Sequence, residues 1–275
     1  MKTTISPTFD KGVLEGTFGD ISHDMVQRTS FIGPFYKKSL GMSLALLGIG
    51  IIGFLLIAFA GNEGRSHWGY LAAVFAYILT TAQAAPLVSI LCRSVRANWG
   101  RPIARISELY AIVGLGVLLV YIPLVMALPA LYPDPESPSE GVRNTIWIYW
   151  HSHAPHIYDS LSLLTLVATG IALLVLASIP DMAEFGAKAA GTRAALASLL
   201  SKNWRGTQKQ WKARRAAIGL LSGLYFMGFL TLHFQYSSDF AMSLVPGWKD
   251  SIFPVWHALS GLQCACATVI ITMFV

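Results

Sequence analysis

Six stretches of this sequence approach the roughly 20 consecutive apolar residues that a helix needs to cross a bilayer. They are Leu40–Ala60, Tyr70–Leu91, Leu109–Leu131, Leu161–Ile179, Ala216–His233 and Ile252–Val275. In lipid every backbone polar group must find its partner inside the protein, so runs of this length are expected as helices and not as strands or loops. Charged residues make up only 12% of the chain, against roughly 25% in a soluble domain. So little charge cannot cover a water-facing surface. The expected fold class is therefore an all-α integral membrane protein with about six transmembrane helices. Its second to fifth spans would form one complete four-helix bundle, flanked by the other two.

The first 39 residues are a polar tail carrying five Lys/Arg and four Asp/Glu. No apolar run precedes Leu40, so the first span reads as an anchor and not as a cleaved signal. The formal net charge of +6 would suggest nucleic acid in a soluble protein, but here the excess sits beside the membrane. Residues 92–106 hold Arg93, Arg96, Arg101 and Arg105 and no acid, and residues 181–215 hold eight Lys/Arg against Asp181 and Glu184. The remaining loops are neutral to acidic. The positive-inside rule then places both basic loops and the N-terminal tail in the cytoplasm, and the expected location is the cell's inner (cytoplasmic) membrane. Trp68, Trp147, Trp150, Trp248 and Trp256 fall at the expected outer interface, where an aromatic belt is the ordinary explanation. Ala189–Leu200 reads as a short amphipathic helix on the cytoplasmic surface. The chain ends at Val275 inside its sixth apolar run, which is read as a split half or as a chain with later spans still to come.

An ionisable group inside a bilayer costs roughly 2.5–3.5 kcal/mol at mid-span, so each one needs a reason. The candidates fall at two depths. The outer group is His151, His153, His156, Tyr158 and Asp159 in "WHSHAPHIYD", then His233, Gln235, Tyr236 and Asp239 in "LHFQYSSD", then Trp256 and His257. Histidine and carboxylate together can accept the two protons of a bound hydroquinone, and aromatic rings offer a flat apolar slot for a quinone head. The bland reading makes these residues interfacial and hydrated. The inner group is Gln83, Glu108, Tyr110 and Asp181, with the loop arginines. Glu108 follows Arg105 by one helical turn, so a local ion pair is expected. The functional reading of this group is a proton path. A haem b would need two facing axial histidines. His233 and His257 are the one pair at matching depth. Cys92, Cys264 and Cys266 suggest neither a disulfide framework nor a zinc site, and no metal is expected.

The segments "LTTAQAAPLVSILCRSVRANWGRPIARISELYAIVGL", "APHIYDSLSLLTLVATGIALLVLASIPDMA" and "HFQYSSDFAMSLVPGWKDSIFPVWHALSG" resemble the NrfD/PsrC-like family. These are the membrane subunits of polysulfide-reductase-type enzymes and of alternative complex III. The resemblance spans roughly residues 35–275. It implies a helix bundle that binds menaquinone or ubiquinone between helices, with no haem or iron–sulfur cluster of its own. It also implies an iron–sulfur partner on the extracytoplasmic surface and further membrane subunits, with no nucleic-acid partner. Asp159, Asp239 and Glu108 would stand at the family's acidic positions. The expected function is a quinone-interacting subunit of a respiratory complex. Asp159, His156, His233 and Asp239 would handle protons; Tyr158, Tyr236, Trp256 and His257 would contact the quinone; Gln83, Glu108, Tyr110 and Asp181 would form the proton path. The alternatives are a transporter or proton channel, and a scaffold subunit whose site has decayed.

Overall fold

The computed structural model describes residues 34–59, 66–127, 154–242, 248 and 250–274, together with Asp20 and His23. His151, His153, Trp147 and Trp150 lie outside the described residues, as do the side chains of His156 and Trp68. The described residues form helices and no strand: α1 (Pro34–Phe59), α2 (Ser66–Ser94), α3 (Arg101–Leu109), α4 (Val113–Ala127), α5 (Ala154–Lys188), α6 (Thr192–Leu200), α7 (Gln208–Phe240) and α8 (Phe253–Phe274). Short 3₁₀ turns at Asn98–Gly100 and Tyr110–Ile112 make α3 and α4 one continuous span. Among the described residues six helices are long and apolar enough to cross a membrane, so the chain is a multi-pass, all-α membrane protein.

Each expected span is present, but several helices overrun their apolar cores. α5 runs 35 residues where hydropathy marks 161–179, and α7 runs 33 where it marks 216–233. The reason is that hydropathy reports where lipid is tolerated, whereas the backbone ladder continues through polar residues at the membrane boundary. As a result "PHIYD" and "HFQYSSD" are helical and project side chains on fixed faces. Pro86, Pro123 and Pro180 lie inside helices, as packed transmembrane helices allow.

The chain divides into two compact units. The first comprises residues 1–62 and 178–207. In it, the described side chains of α1 are exposed or half-exposed. The end of α5 carries a Lys188–Glu184 ion pair of 2.5 Å. The chain then turns at Gly191, whose φ of 98° suits a residue without a Cβ, into the short α6 expected from the sequence.

The second unit comprises residues 63–177 and 208–275. Its centre is α2, buried without interruption from Leu79 to Leu87. The surrounding helices each offer one stripe: Val117, Tyr121 and Leu124 on α4; Leu163, Leu166, Leu173 and Ala177 on α5; Tyr225, Phe229, Leu232 and Tyr236 on α7; Ala258, Gly261, Ala265 and Val269 on α8. The i, i+3, i+4 spacing is that of one helical face. Opposite faces show Leu115, Leu119, Leu220, Met227, Leu259 and Ile271 outward, as lipid contact requires. The sixth span belongs to this bundle, because α8 packs directly on α2. Lipid gives no hydrophobic drive between helices, so close packing of small residues holds them together. A Cβ on Gly261 would overlap the Thr80 methyl and stand 2.9 Å from the Thr80 carbonyl oxygen.

Candidate functional site

Two buried polar clusters occupy opposite ends of the second unit. The first is assembled from five helices. α2 supplies Thr80, α4 Tyr121, α5 Asp159 and Ser160, α7 His233, Tyr236 and Asp239, and α8 His257. Asp159, His233, Tyr236 and Asp239 are buried, and His257 is half-buried. On α7, positions 229, 232, 233, 236 and 239 share the inward face, so a sequence that merely closes a span delivers His233, Tyr236 and Asp239 together.

The hydrogen bonds around the two histidines assign their tautomers. His233 Nδ1 lies 2.8 Å from the Phe229 carbonyl oxygen. A carbonyl can only accept, so Nδ1 carries the proton and the neutral ring leaves Nε2 as a bare acceptor. Thr80 donates its hydroxyl proton to the Ala76 carbonyl, 2.5 Å away. His257 Nε2, 3.2 Å from that same hydroxyl oxygen, must therefore donate to it, which leaves Nδ1 of the neutral ring bare. His233 Nε2 and His257 Nδ1 are both buried with no hydrogen-bond partner among the described residues. The two rings stand 5.3 Å apart, with Phe229 against one at 4.0 Å and Phe253 stacked on the other at 6.3 Å. Two adjacent proton acceptors left bare in a low-dielectric setting call for a donor from outside the described chain.

Beside the histidines lies an aromatic box. Phe75 sits 5.5 Å from the Tyr121 ring and 5.3 Å from that of Tyr236. Tyr236 stacks on Phe240 at 4.9 Å, and the Tyr121 hydroxyl reaches Ser160 Oγ at 3.3 Å. Asp159 and Asp239 lie within electrostatic reach of the Tyr236 hydroxyl. The structure thus brings Asp159, His233, Asp239, Tyr236 and His257 together. It does not bring in Tyr158 or Trp256, both of which face outward. Trp256 stacks on Phe253 at 6.2 Å, and Phe253 in turn stacks on His257. Thr80 and Ser160 escape a sequence reading because single hydroxyls in apolar helices are common. A third hydroxyl, Tyr121, stands out in the sequence only as one member of the polar path that the transporter alternative would use, with Gln83, Glu108, Tyr110, Asp159 and Asp181.

The second cluster holds the residues expected to form a proton path. Glu108 is fully buried and accepts from Ser89 Oγ (2.7 Å) and from Arg105 (3.2 Å), in the ion pair expected from their spacing. It also pairs with Arg93 from α2. Gln83 is equally buried. Its amide donates to the Tyr110 carbonyl (3.4 Å), and the Tyr225 hydroxyl donates to the Gln83 carbonyl oxygens of backbone (2.6 Å) and side chain (3.3 Å). The Tyr110 hydroxyl pairs with Thr272. Asp181 belongs to the other compact unit, where its side chain is exposed. Within the second unit, Gln83, Glu108 and Tyr110 thus tie helices to one another.

A scan against models of protein families finds no match to this chain, and a search of curated proteins finds none either.

Proposed function

We propose that the chain is a quinone-interacting membrane subunit of a respiratory electron-transfer complex, of the NrfD/PsrC-like kind its motifs resemble. One observation carries the reading: His233 Nε2 and His257 Nδ1 are bare acceptors side by side, next to an aromatic box and two buried carboxylates. A hydroquinone offers two O–H donors on a flat ring. Its oxidation releases two protons and two electrons. In this reading the histidines accept the hydroxyl protons, and Asp159 and Asp239, the buried carboxylates near the Tyr236 hydroxyl, take them next. The electrons go to an iron–sulfur partner at that end of the bundle; quinone reduction runs the same steps backwards. Phe75, Tyr121 and Tyr236 suit the ring. An apolar groove of about 570 Å³ between α4 and α5, beginning near Leu118 and Leu164, suits an isoprenoid tail. With the basic loops inside, this end faces away from the cytoplasm in the inner membrane, and the N-terminal tail is cytoplasmic.

The test is made on the detergent-purified native complex. Quinone is extracted and quantified, an optical difference spectrum is recorded, and quinone-linked turnover is measured for His233→Gln and Asp159→Asn. Each replacement keeps hydrogen bonding and removes a proton acceptor. Turnover should fall by roughly 10²–10⁴-fold for a lost general base. Unchanged turnover in both variants would overturn the proposal in favour of a scaffold subunit. Ion flux without any quinone effect would favour a transporter, and a haem b band that stays with this chain would make His233 and His257 its ligands.

A further inference from the structure

A second cleft of the second unit lies at the end away from the histidines. Its volume is about 1270 Å³. Six arginines line it: Arg93, Arg96 and Arg101 and Arg105 from the α2–α3 region, and Arg214 and Arg215 from α7. No carboxylate is among the lining residues; Glu108, behind the wall, pairs with Arg93 and Arg105. Arg214 is held by the carbonyls of Leu176 (2.7 Å) and Ala177 (2.6 Å) and sits over the Trp211 ring at 5.3 Å, so its charge is fixed in place. Arg96 and Arg101 are exposed and make no ion pair among the described residues. Arg96 adopts a φ of 55°, the sole positive value at a non-glycine residue among those described. That is the left-handed residue of the turn that ends α2, where the Arg96 N–H donates to the Arg93 carbonyl (3.1 Å) and the Ala97 N–H to the Cys92 carbonyl (2.8 Å).

Two further groups mark the cleft as a site for an acceptor. Arg93 Nη1 is buried and has no hydrogen-bond partner among the described residues, although Nη2 of the same guanidinium pairs with Glu108. Across the cleft, the Ser222 side chain is nine-tenths buried, and its hydroxyl also lacks a partner among the described residues. Below the arginines the wall becomes apolar, with Ile90, Ile218 and Phe226 around Gly219 and Gly223. A Cβ at either glycine would meet nothing within 4 Å, so the α7 face is an open trough at that level.

We infer that this cleft binds an anionic phospholipid. The phosphate would sit among Arg93, Arg96, Arg101 and Ser222, and an acyl chain would lie in the Gly219–Gly223 trough. A phosphate supplies several acceptor oxygens in a geometry that guanidinium groups match. Basic pockets between transmembrane helices are suited to such headgroups. The apolar trough immediately below selects a lipid over a free ion. The inference does not depend on the quinone reading.

The full chain is purified in a neutral detergent and titrated with phosphatidylglycerol, phosphatidylcholine or inorganic phosphate, and bound lipid is read by native mass spectrometry. The wild type should retain phosphatidylglycerol in preference to phosphatidylcholine, and millimolar phosphate should not displace it. Arg96→Gln with Arg101→Gln should reduce that preference roughly thirtyfold, at about fivefold per surface arginine. Neither residue supports the helix bundle, so folding should survive. Gly223→Leu fills the trough without touching charge and should weaken phosphatidylglycerol binding while leaving the arginines intact. Equal retention of both lipids, an unchanged preference in the arginine variant, or displacement by inorganic phosphate alone would each overturn the inference.

Discussion

Glu108→Ala should be the most damaging single substitution at the arginine end, and the structure sets its size. The Glu108 side chain is fully enclosed and accepts from Ser89, Arg93 and Arg105. Removing one partner of a buried ion pair costs about 3–5 kcal/mol, because the other charge is left without compensation. The positive ends are not fully enclosed: the side chains of Arg93 and Arg105 are 32% and 39% exposed. Water can therefore recover part of their solvation, which puts the expected loss at the lower end, about 3 kcal/mol. Arg105→Ala removes a partly exposed i, i+3 partner and leaves Arg93 paired with Glu108, so it should cost less than about 1 kcal/mol. The pair is compared by thermal unfolding in detergent, where 3 kcal/mol corresponds to a fall of roughly 6–12 °C for a chain of this size. Equal shifts for the two variants would refute the ranking. A Glu108→Ala protein with unaltered melting but no quinone-linked turnover would refute it more deeply, by making Glu108 a proton carrier after all.

Gly261→Ala should destabilise by about 1–3 kcal/mol through overpacking, since the added methyl strikes Thr80 on α2. Gly223→Ala should be neutral or stabilising by up to about 1 kcal/mol, since its methyl meets nothing and alanine favours the helix; parallel melting curves read both. Gln83→Leu leaves the Tyr110 carbonyl without its amide donor and should cost about 1–3 kcal/mol. Quinone-linked turnover, measured on the same preparation, should persist in that variant, and its abolition would point to a proton path through this residue.

The spans were legible because lipid imposes length and apolarity on them together, and the ion pair of Arg105 with Glu108 followed from helical spacing alone. The convergence of Asp159, His233, Asp239, Tyr236 and His257 was legible as a matter of depth, since all five lie near span ends on one side. Which way each pointed was not. Tyr158 adjoins Asp159, yet a 100° step around α5 turns one outward and the other in. Trp256 and His257 divide in the same way on α8. Nor could hydropathy show that α2 is the central helix, because a span apolar on all sides carries no marked face. The Arg93–Glu108 pair joins two helices, and tertiary partners of that kind leave no mark in local spacing.

The chemistry between the two ends bears on the choice among functions. Gln83 stands on α2 between Thr80 of the histidine cluster and Ser89 of the arginine cluster. Its amide does not exchange a proton as an acid or base near neutral pH, and its hydrogen bonds to Tyr110 and Tyr225 are already made. A proton moving along α2 from one cluster to the other would have to break this clamp. A channel or transporter needs such a crossing on every cycle. A quinone site does not, because a hydroquinone arrives within the membrane and can lose its protons and electrons at a single end. His233 and His257 present their bare nitrogens at that end, beside Asp159 and Asp239, and Gln83 lies behind them. On the proposed reading the acceptors gather at one end of the bundle, and a proton path along α2 would have to pass the Gln83 clamp.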